Sequence, residues 1–426
     1  MVVKLTSSKP SNRKQATLWE LAAIYSRLGT VGFGGPQAHI AMQNSEVVSQ
    51  RQWLTQEQFV EGLAVCEMLP GPASTQMGIY IGYVVSGPIG ALVAGLSFIA
   101  PAFAIVLALS WAYFQFQQTP QLEGIFLGVS PVVVALILGF CWKLMRKTVL
   151  SAETSRRQRI GRWMIAIAVF VTTLLARPSI LLQLLVAGLV GLWLFAPSPP
   201  RRALSTIPGF HIAWLNLELG FVSLSTASTE VVSLSSLWGF ERIGTYFWPL
   251  TLFFLKVGSS IFGGGLVIIP FIETEVVEKL HWLTTTEFLN GVAIGQLSPG
   301  PVVLTAAFVG YKVAGLLGGL VAAIAIFLPS FTFIMLASPI LARLRRNPRV
   351  RAFLQGVTPA VLGAIAAAAI PLAQNALDQP TLLLQLAVWM ILTVALVALL
   401  KYRVPTWLLV PGGGLVGLLL SLSGLP

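Results

Sequence analysis

The stretch RLGTVGFGGPQAHIAMQNSEVVSQRQWLTQEQFVEGLAVCEMLPGP, residues 27–72, recurs as KVGSSIFGGGLVIIPFIETEVVEKLHWLTTTEFLNGVAIGQLSPGP, residues 256–301. The two align without a gap at an offset of 229, with 17 identities in 46 positions. The identities include Gly34-Gly35 with Gly263-Gly264, Glu46-Val47-Val48 with Glu275-Val276-Val277, Trp53-Leu54-Thr55 with Trp282-Leu283-Thr284, and Pro70-Gly71-Pro72 with Pro299-Gly300-Pro301. After one deletion the offset is 228. The match then continues through Gly82-Tyr83 and Gly310-Tyr311, Pro101 and Pro329, and Gly128-Val129-Ser130-Pro131 and Gly356-Val357-Thr358-Pro359. Shared hydrophobicity does not reproduce helix-breaking residues at matched spacing, so the chain is an internal duplication. The units it defines are an N-terminal segment at 1–16, a first repeat at 17–196, a Ser- and Thr-rich linker at 197–245 and a second repeat at 246–426.

Composition fixes the solvent. Hydrophobic residues make up 56% of the chain and charged ones 10%, against about 25% charged in soluble domains, and mean hydropathy is +0.82. Apolar runs at 92–116, 125–142, 316–341 and 382–400 reach the roughly 17–25 residues a helix needs to cross a bilayer. They are continuously apolar and do not alternate, which excludes a lipid-facing barrel. The net charge of +12 is scattered through short loops, where Lys and Arg set membrane orientation; it does not form the solvated basic face of a nucleic-acid binder. Cys66 and Cys141, both in hydrophobic context, are read as packed thiols. Residues 1–15 carry four cations but lack an apolar core and cleavage site, so no cleaved leader is expected.

Loop charge orients the copies. Residues 115–123 hold no Lys or Arg, whereas the matched 343–351 hold five Arg; 143–162 hold seven Lys or Arg, whereas the matched 371–380 hold none. Reciprocal bias puts equivalent loops on opposite sides, which makes the repeats inverted about an axis in the membrane plane. The fold expected is an all-α polytopic membrane protein, two inverted-topology repeats with broken helices and about ten to thirteen spans. Its N-terminus is expected on the cytoplasmic side of the plasma membrane. The count turns on residues 163–196, which read as one bent span or as a hairpin. A hairpin requires a further crossing in the linker, near 219–238.

In each repeat a helix breaks at Gly-Gly and again at Pro-Gly-Pro. Between the breaks, Thr55 and Gln58, and Thr284 and Glu287, have capping-box spacing for the start of a helix. Broken helices at membrane depth are tolerated where their free backbone groups line a cavity or meet a ligand. Helix starts after Gly34-Gly35, Pro70-Gly71-Pro72, Gly263-Gly264 and Pro299-Gly300-Pro301 would aim NH groups and positive dipole ends at the pseudo-symmetry axis, which suits an oxyanion. Packing kinks are the alternative reading.

Arg27 and Lys256 share one repeat position beside the first break, and a charge at bilayer depth is functional unless it snorkels to an interface. Thr30, Ser259 and Ser260 add hydroxyls. Glu46, Glu67 and Glu275 are the carboxylates able to couple a proton or balance a cation. His39 and His281, unmatched between repeats, are read as interfacial, with a proton role as the alternative. No Walker loop, zinc-protease helix or nucleophile elbow occurs, which leaves ion-gradient coupling and gives neither enzyme chemistry nor a cofactor any support.

These residues resemble the chromate ion transporter family, in its long two-domain form, over about 18–196 and 247–420. The resemblance implies efflux of chromate from the cytoplasm, driven by membrane potential or proton gradient, and chromate resistance. It also implies that the family motif falls on Gly34, Gly35, Val48, Trp53, Pro70, Gly71 and Pro72 and on their second-repeat partners. Partners implied are a chromate- or sulfate-like oxyanion and the lipid bilayer, without nucleic acid, and with a homodimer left open. The nine residues from Pro72 to Gly82, against eight from Pro301 to Gly310, depart from the family spacing.

Overall fold

The structure, a computed structural model, describes residues 16–150, 155–176, 178–196, 237–262, 265–345 and 347–423, with the backbone alone at 337–345. Among the described residues every element is helical. The first repeat contains α1 (Leu18–Val31), α2 (Gly35–Asn44), which runs into a wide π turn (Ser45–Gln50), α3 (Gln56–Cys66), α4 (Ala73–Phe116), α5 (Pro120–Thr148), α6 (Arg156–Leu175) and α7 (Ile180–Phe195). The second contains α8 (Phe240–Gly258) and then α9 (Ile268–Phe271), set between a 3-10 turn (Gly265–Val267) and a π turn (Ile272–Lys279). It continues with α10 (Thr285–Leu297), a 3-10 turn (Val302–Leu304), α11 (Thr305–Arg345), α12 (Pro348–Leu377), α13 (Leu382–Leu400) and α14 (Thr406–Leu422). Among the described residues six helices are long and apolar enough to cross a membrane, and α7 and α14 are shorter apolar helices. The protein is an all-α polytopic membrane protein.

The short helices begin where local chemistry dictates. Thr17 with Glu20, Thr55 with Gln58 and Thr284 with Glu287 form complete capping boxes, each satisfying two otherwise free NH groups. Gly34 supplies the left-handed N-cap of α2, and Pro36 falls in its first turn, where a missing NH costs nothing. After each first break the chain doubles back. Its π turn closes when Trp53 NH donates to Val47 O at 2.8 Å and, in the second repeat, Trp282 NH donates to Val276 O at 2.9 Å. The Glu-Val-Val and Trp of the repeated motif therefore build a re-entrant turn.

A further break is absent from the sequence reading. Helix α4 has 44 residues and would be about 66 Å long if straight, twice the hydrocarbon thickness. It reverses at Ser86-Gly87, where Gly87 takes φ 66° and ψ −158°, and α11 reverses at Ala314-Gly315, with φ 59° and ψ −155° at Gly315. Each is a helical hairpin whose arms touch through glycine: Gly82 lies against the Gly90 carbonyl and Gly310 against the Gly318 carbonyl, with no room for a Cβ. The first arm, 73–85, is about 20 Å long and stops at mid-depth; the second crosses fully.

Helices α5 and α12, the most buried spans, run in opposite directions. The C-terminal end of α5 and the N-terminal end of α12 line one cavity mouth with Lys143, Lys147 and Arg351, while the start of α5 meets the end of α14, where Ser421 Oγ donates to Pro120 O. Equivalent helices are therefore inverted, and both basic loops share one face. Residues 163–196 resolve as a hairpin, α6 and α7, which returns to the basic face with Phe195 under the Arg162 guanidinium. Helix α8 starts on the other face, with Gly239 against the reversal of α11. The crossing expected near 219–238 lies, apart from Leu237 and Trp238, outside the described residues. The repeats also interlock: α5 packs on α13 and α14, and α12 packs on α6 and α7.

Candidate functional site

The four breaks meet crosswise at mid-depth. Gly71 NH, in the first Pro-Gly-Pro, donates to Ile261 O beside the first break of the other repeat at 2.7 Å. The symmetry-related joint, between Gly32 and Pro299, is bridged by a side chain: His39 Nε2 contacts the carbonyl oxygens of both residues, at 3.0 Å for Pro299. Each Pro-Gly-Pro is also pressed against the long arm of the opposite hairpin, Gly71 against Ser330 and Gly300 against Ala102. His39 is 1% exposed, so its interfacial reading is corrected. The two breaks fold the chain back on itself and place α2 at the centre of the protein.

A cavity of about 740 Å³ extends from these breaks to the basic face. Gly34, Gly35, Gly71 and Pro72 line its inner end. Its mouth carries Lys143 and Lys147 of α5, Arg162 of α6 and Arg351 of α12; Glu67 is the one carboxylate lining it among the described residues, with Gln296, its repeat partner, across from it. Lys147 Nζ stands 4.0 Å from Glu67 Oε1. The N-termini of α2 and α4 favour an anion there, but the C-terminal end of α3 also borders the cavity and opposes them. The sign of the field is therefore set by the four cations.

Of the residues marked by sequence, Gly34, Gly35, Gly71, Pro72 and Glu67 reach this cavity. Pro70 accepts a hydrogen bond from Gln76 at 2.6 Å, and Pro301 caps the 3-10 turn before α11. Gly263 and Gly264 lie outside the described residues. Arg27 and Lys256 stand apart from the cavity lining, each in an ion pair. Arg27 holds Glu46 at 2.6 Å, with Arg51 on the other oxygen at 2.9 Å, and Lys256 holds Glu275 at 2.7 Å. These pairs clamp α1 to the π turn beyond α2, and α8 to the π turn beyond α9. The hydroxyls of Thr30, Ser259 and Ser260 donate to the carbonyls of Ser26, Leu255 and Lys256 in their own helices. Sequence reasoning assigned the cavity cations to topology alone. The signal available was helical spacing: Leu136, Phe140, Lys143 and Lys147 form one stripe of α5.

Inverted repeats whose broken helices meet at mid-depth, beside a cavity open to one face, define a membrane carrier in build. The chain belongs to the chromate transporter family, whose model matches residues 19–192 and 248–418; it is a transporter and not an enzyme. It is 36% identical over 408 residues to a chromate transport protein of Cupriavidus metallidurans, covering 94% of this chain and 93% of that one. It is 33% identical to a probable chromate transport protein of Synechococcus elongatus, over 87% of this chain and 88% of that one. A chromate transport protein of Pseudomonas aeruginosa is 30% identical over 83% of this chain and 81% of its own length. No solved structure matches the chain.

Proposed function

We propose that this protein exports chromate, a tetrahedral dianion, from the cytoplasm across the plasma membrane, with its basic face and N-terminus inside, and so confers chromate resistance. The observation that carries the reading is the cavity: four cations against one carboxylate at its mouth, helix N-termini at its inner end. A dianion leaving water needs such compensation. Arg27 and Lys256 enter the proposal as clamps that hold the broken helices around the path. Energetics favour export. With a negative interior, each charge gains about 2.3 kcal/mol per 100 mV on leaving, so a dianion gains about 4.6 kcal/mol, on the order of a thousandfold gradient. The membrane potential, with or without a proton gradient, then suffices. Labelled chromate flux into inverted vesicles tests this. Potential-dependent uptake that excess sulfate leaves intact is the expected result. Uptake of sulfate in preference to chromate would reassign the substrate to another oxyanion, and absence of flux for both would remove the reading.

A further inference from the structure

The cores of the two repeats differ at matched positions. In the first repeat Tyr25, His39, Gln43, Ser74, Thr75 and Gln76 are all buried to 1% exposure or less. Tyr25, His39 and Gln43 correspond to Phe254, Ile268 and Ile272 of the second repeat, and Ser74 to one of the valines Val302 and Val303. Four atoms of the first-repeat set, Tyr25 Oη, Gln43 Oε1, Thr75 Oγ1 and Gln76 Oε1, have no hydrogen-bond partner among the described residues. Buried polar groups of this kind are satisfied by internal water. The second repeat's own unpaired groups, Thr251 Oγ1 and Asn290 Oδ1, occupy different repeat positions. The second repeat buries polar groups near its breaks as well, among them Ser260, Ser298 and Thr305, but among the described residues the unpaired ones at the breaks belong to the first repeat.

His39 sits within this set with its tautomer determined by its neighbours. Nε2 faces the carbonyl oxygens of Gly32 and Pro299, which can only accept, so Nε2 carries a proton. The nitrogen free to titrate is Nδ1, which faces Ser74 Oγ at 3.4 Å, a hydroxyl able to donate or accept. Gln43 Nε2 donates to the Ser74 carbonyl at 2.9 Å, and Phe98 stacks edge-on against both Tyr25 and His39. Of the titratable groups on the adjoining elements, α1 carries Glu20, Tyr25 and Arg27, α3 carries Glu57, Glu61 and Cys66 with Glu67 just beyond its end, and α4 carries Tyr80, Tyr83 and Tyr113. Glu46, beyond α2, is held by Arg27 and Arg51, and the Pro299 segment brings none.

We infer that the first repeat contains a hydrated proton path through the centre of the protein, with His39 Nδ1 as the atom that takes up and releases the proton. The inference rests on the transport reading and specifies its coupling ion. In the uptake step the Nδ1 lone pair accepts the proton of the Ser74 hydroxyl. The Ser74 O–H bond breaks, and its oxygen is reprotonated by an adjacent water that has received a proton from the cavity side. Release reverses these transfers. His39 and its neighbours Gln37 and Ile40 share one short helix, and the latter two line the cavity, so substrate and proton sites lie on two faces of α2.

The test uses the full chain reconstituted in liposomes, with chromate flux and an entrapped pH dye read together. Wild type should move protons with chromate. His39→Gln keeps NH groups for both carbonyls but cannot titrate. Under a potassium diffusion potential it should move fewer protons per chromate, a ratio read independently of any change in the flux itself. Ser74→Ala, a smaller change less able to disturb folding, should slow the proton signal. An unaltered proton-to-chromate ratio in His39→Gln overturns the inference, as does wild-type chromate flux without proton movement, and in both cases the transport reading stands. Chromate flux absent under every gradient overturns the transport reading and the inference with it.

Discussion

The two faces of the molecule are built from the same repeat yet differ in charge at equivalent positions. On the basic face the cavity wall carries Lys143, Lys147 and Arg351; their repeat partners toward the other face are Pro371, Asn375 and Glu123. Glu67 and its partner Gln296 reverse that difference, and both line the cavity. Duplication supplied a symmetric frame, and substitution left matched positions on the two faces with different charge. In the export proposed above, this asymmetry favours capture of a dianion on the basic face.

The comparison fails outright if the faces are not opposite. Single cysteines at Gln117 and Asp378 should label from outside intact cells and one at Arg349 only from inside; common labelling of all three from one side ends the inverted arrangement. Next in size is Gly71→Ala. Gly71 has φ +130° and abuts Ser330 and Gln76, so a Cβ is strained there and also forces the crosswise joint apart. Flux per folded molecule should be lost. A smaller effect is expected from Arg351→Gln, a raised KM for chromate on the basic face of about three- to tenfold, the residue being exposed and screened. Glu123→Gln, at the partner position, should leave that KM unchanged, and equal shifts in the two variants would erase the difference between the faces.

The clamps offer the finest comparison. Glu46 is 5% exposed with two arginines on its oxygens, whereas Glu275 is 12% exposed with one lysine. Glu46→Gln should therefore lower Tm more than Glu275→Gln. The difference should be about 1 kcal/mol, since Arg27 is largely exposed and recovers solvation when released. Equal melting temperatures would show that the second arginine adds nothing.

Much of this frame was legible in residue order because its causes are local. Capping boxes, Gly-Gly and Pro-Gly-Pro breaks act within a few residues, and reciprocal loop charge reports side without any packing. The reversal of α11 was not legible, because Ala314-Gly315 is an ordinary dipeptide within an apolar run and the turn depends on Gly310 meeting Gly318 eight residues later. The crosswise joints were hidden for a similar reason: nothing within 27–72 indicates that Gly71 will bind Ile261. His39 was misplaced because polarity alone suggested an interface, whereas two carbonyls from opposite repeats supply the partners that let it be buried. Arg27 and Lys256 were marked beside the breaks without a view of what lay opposite. Glu46 and Glu275, 19 residues further on in each repeat, become their neighbours only because the chain turns back.

The interlock of the repeats has a consequence for biosynthesis. Helix α5 is made early, but the face it presents at Gly128 is fitted by Gly413 of α14, close enough that neither tolerates a side chain. Until α14 leaves the ribosome, that glycine face lacks the neighbour it is shaped for. Helices α6 and α7 likewise wait for α12, with Gly191 destined for Gly356. Assembly of the first repeat is thus deferred until α12 and α14 have been made, and a chain that stops before α14 leaves the Gly128 face of α5 without its fitted partner.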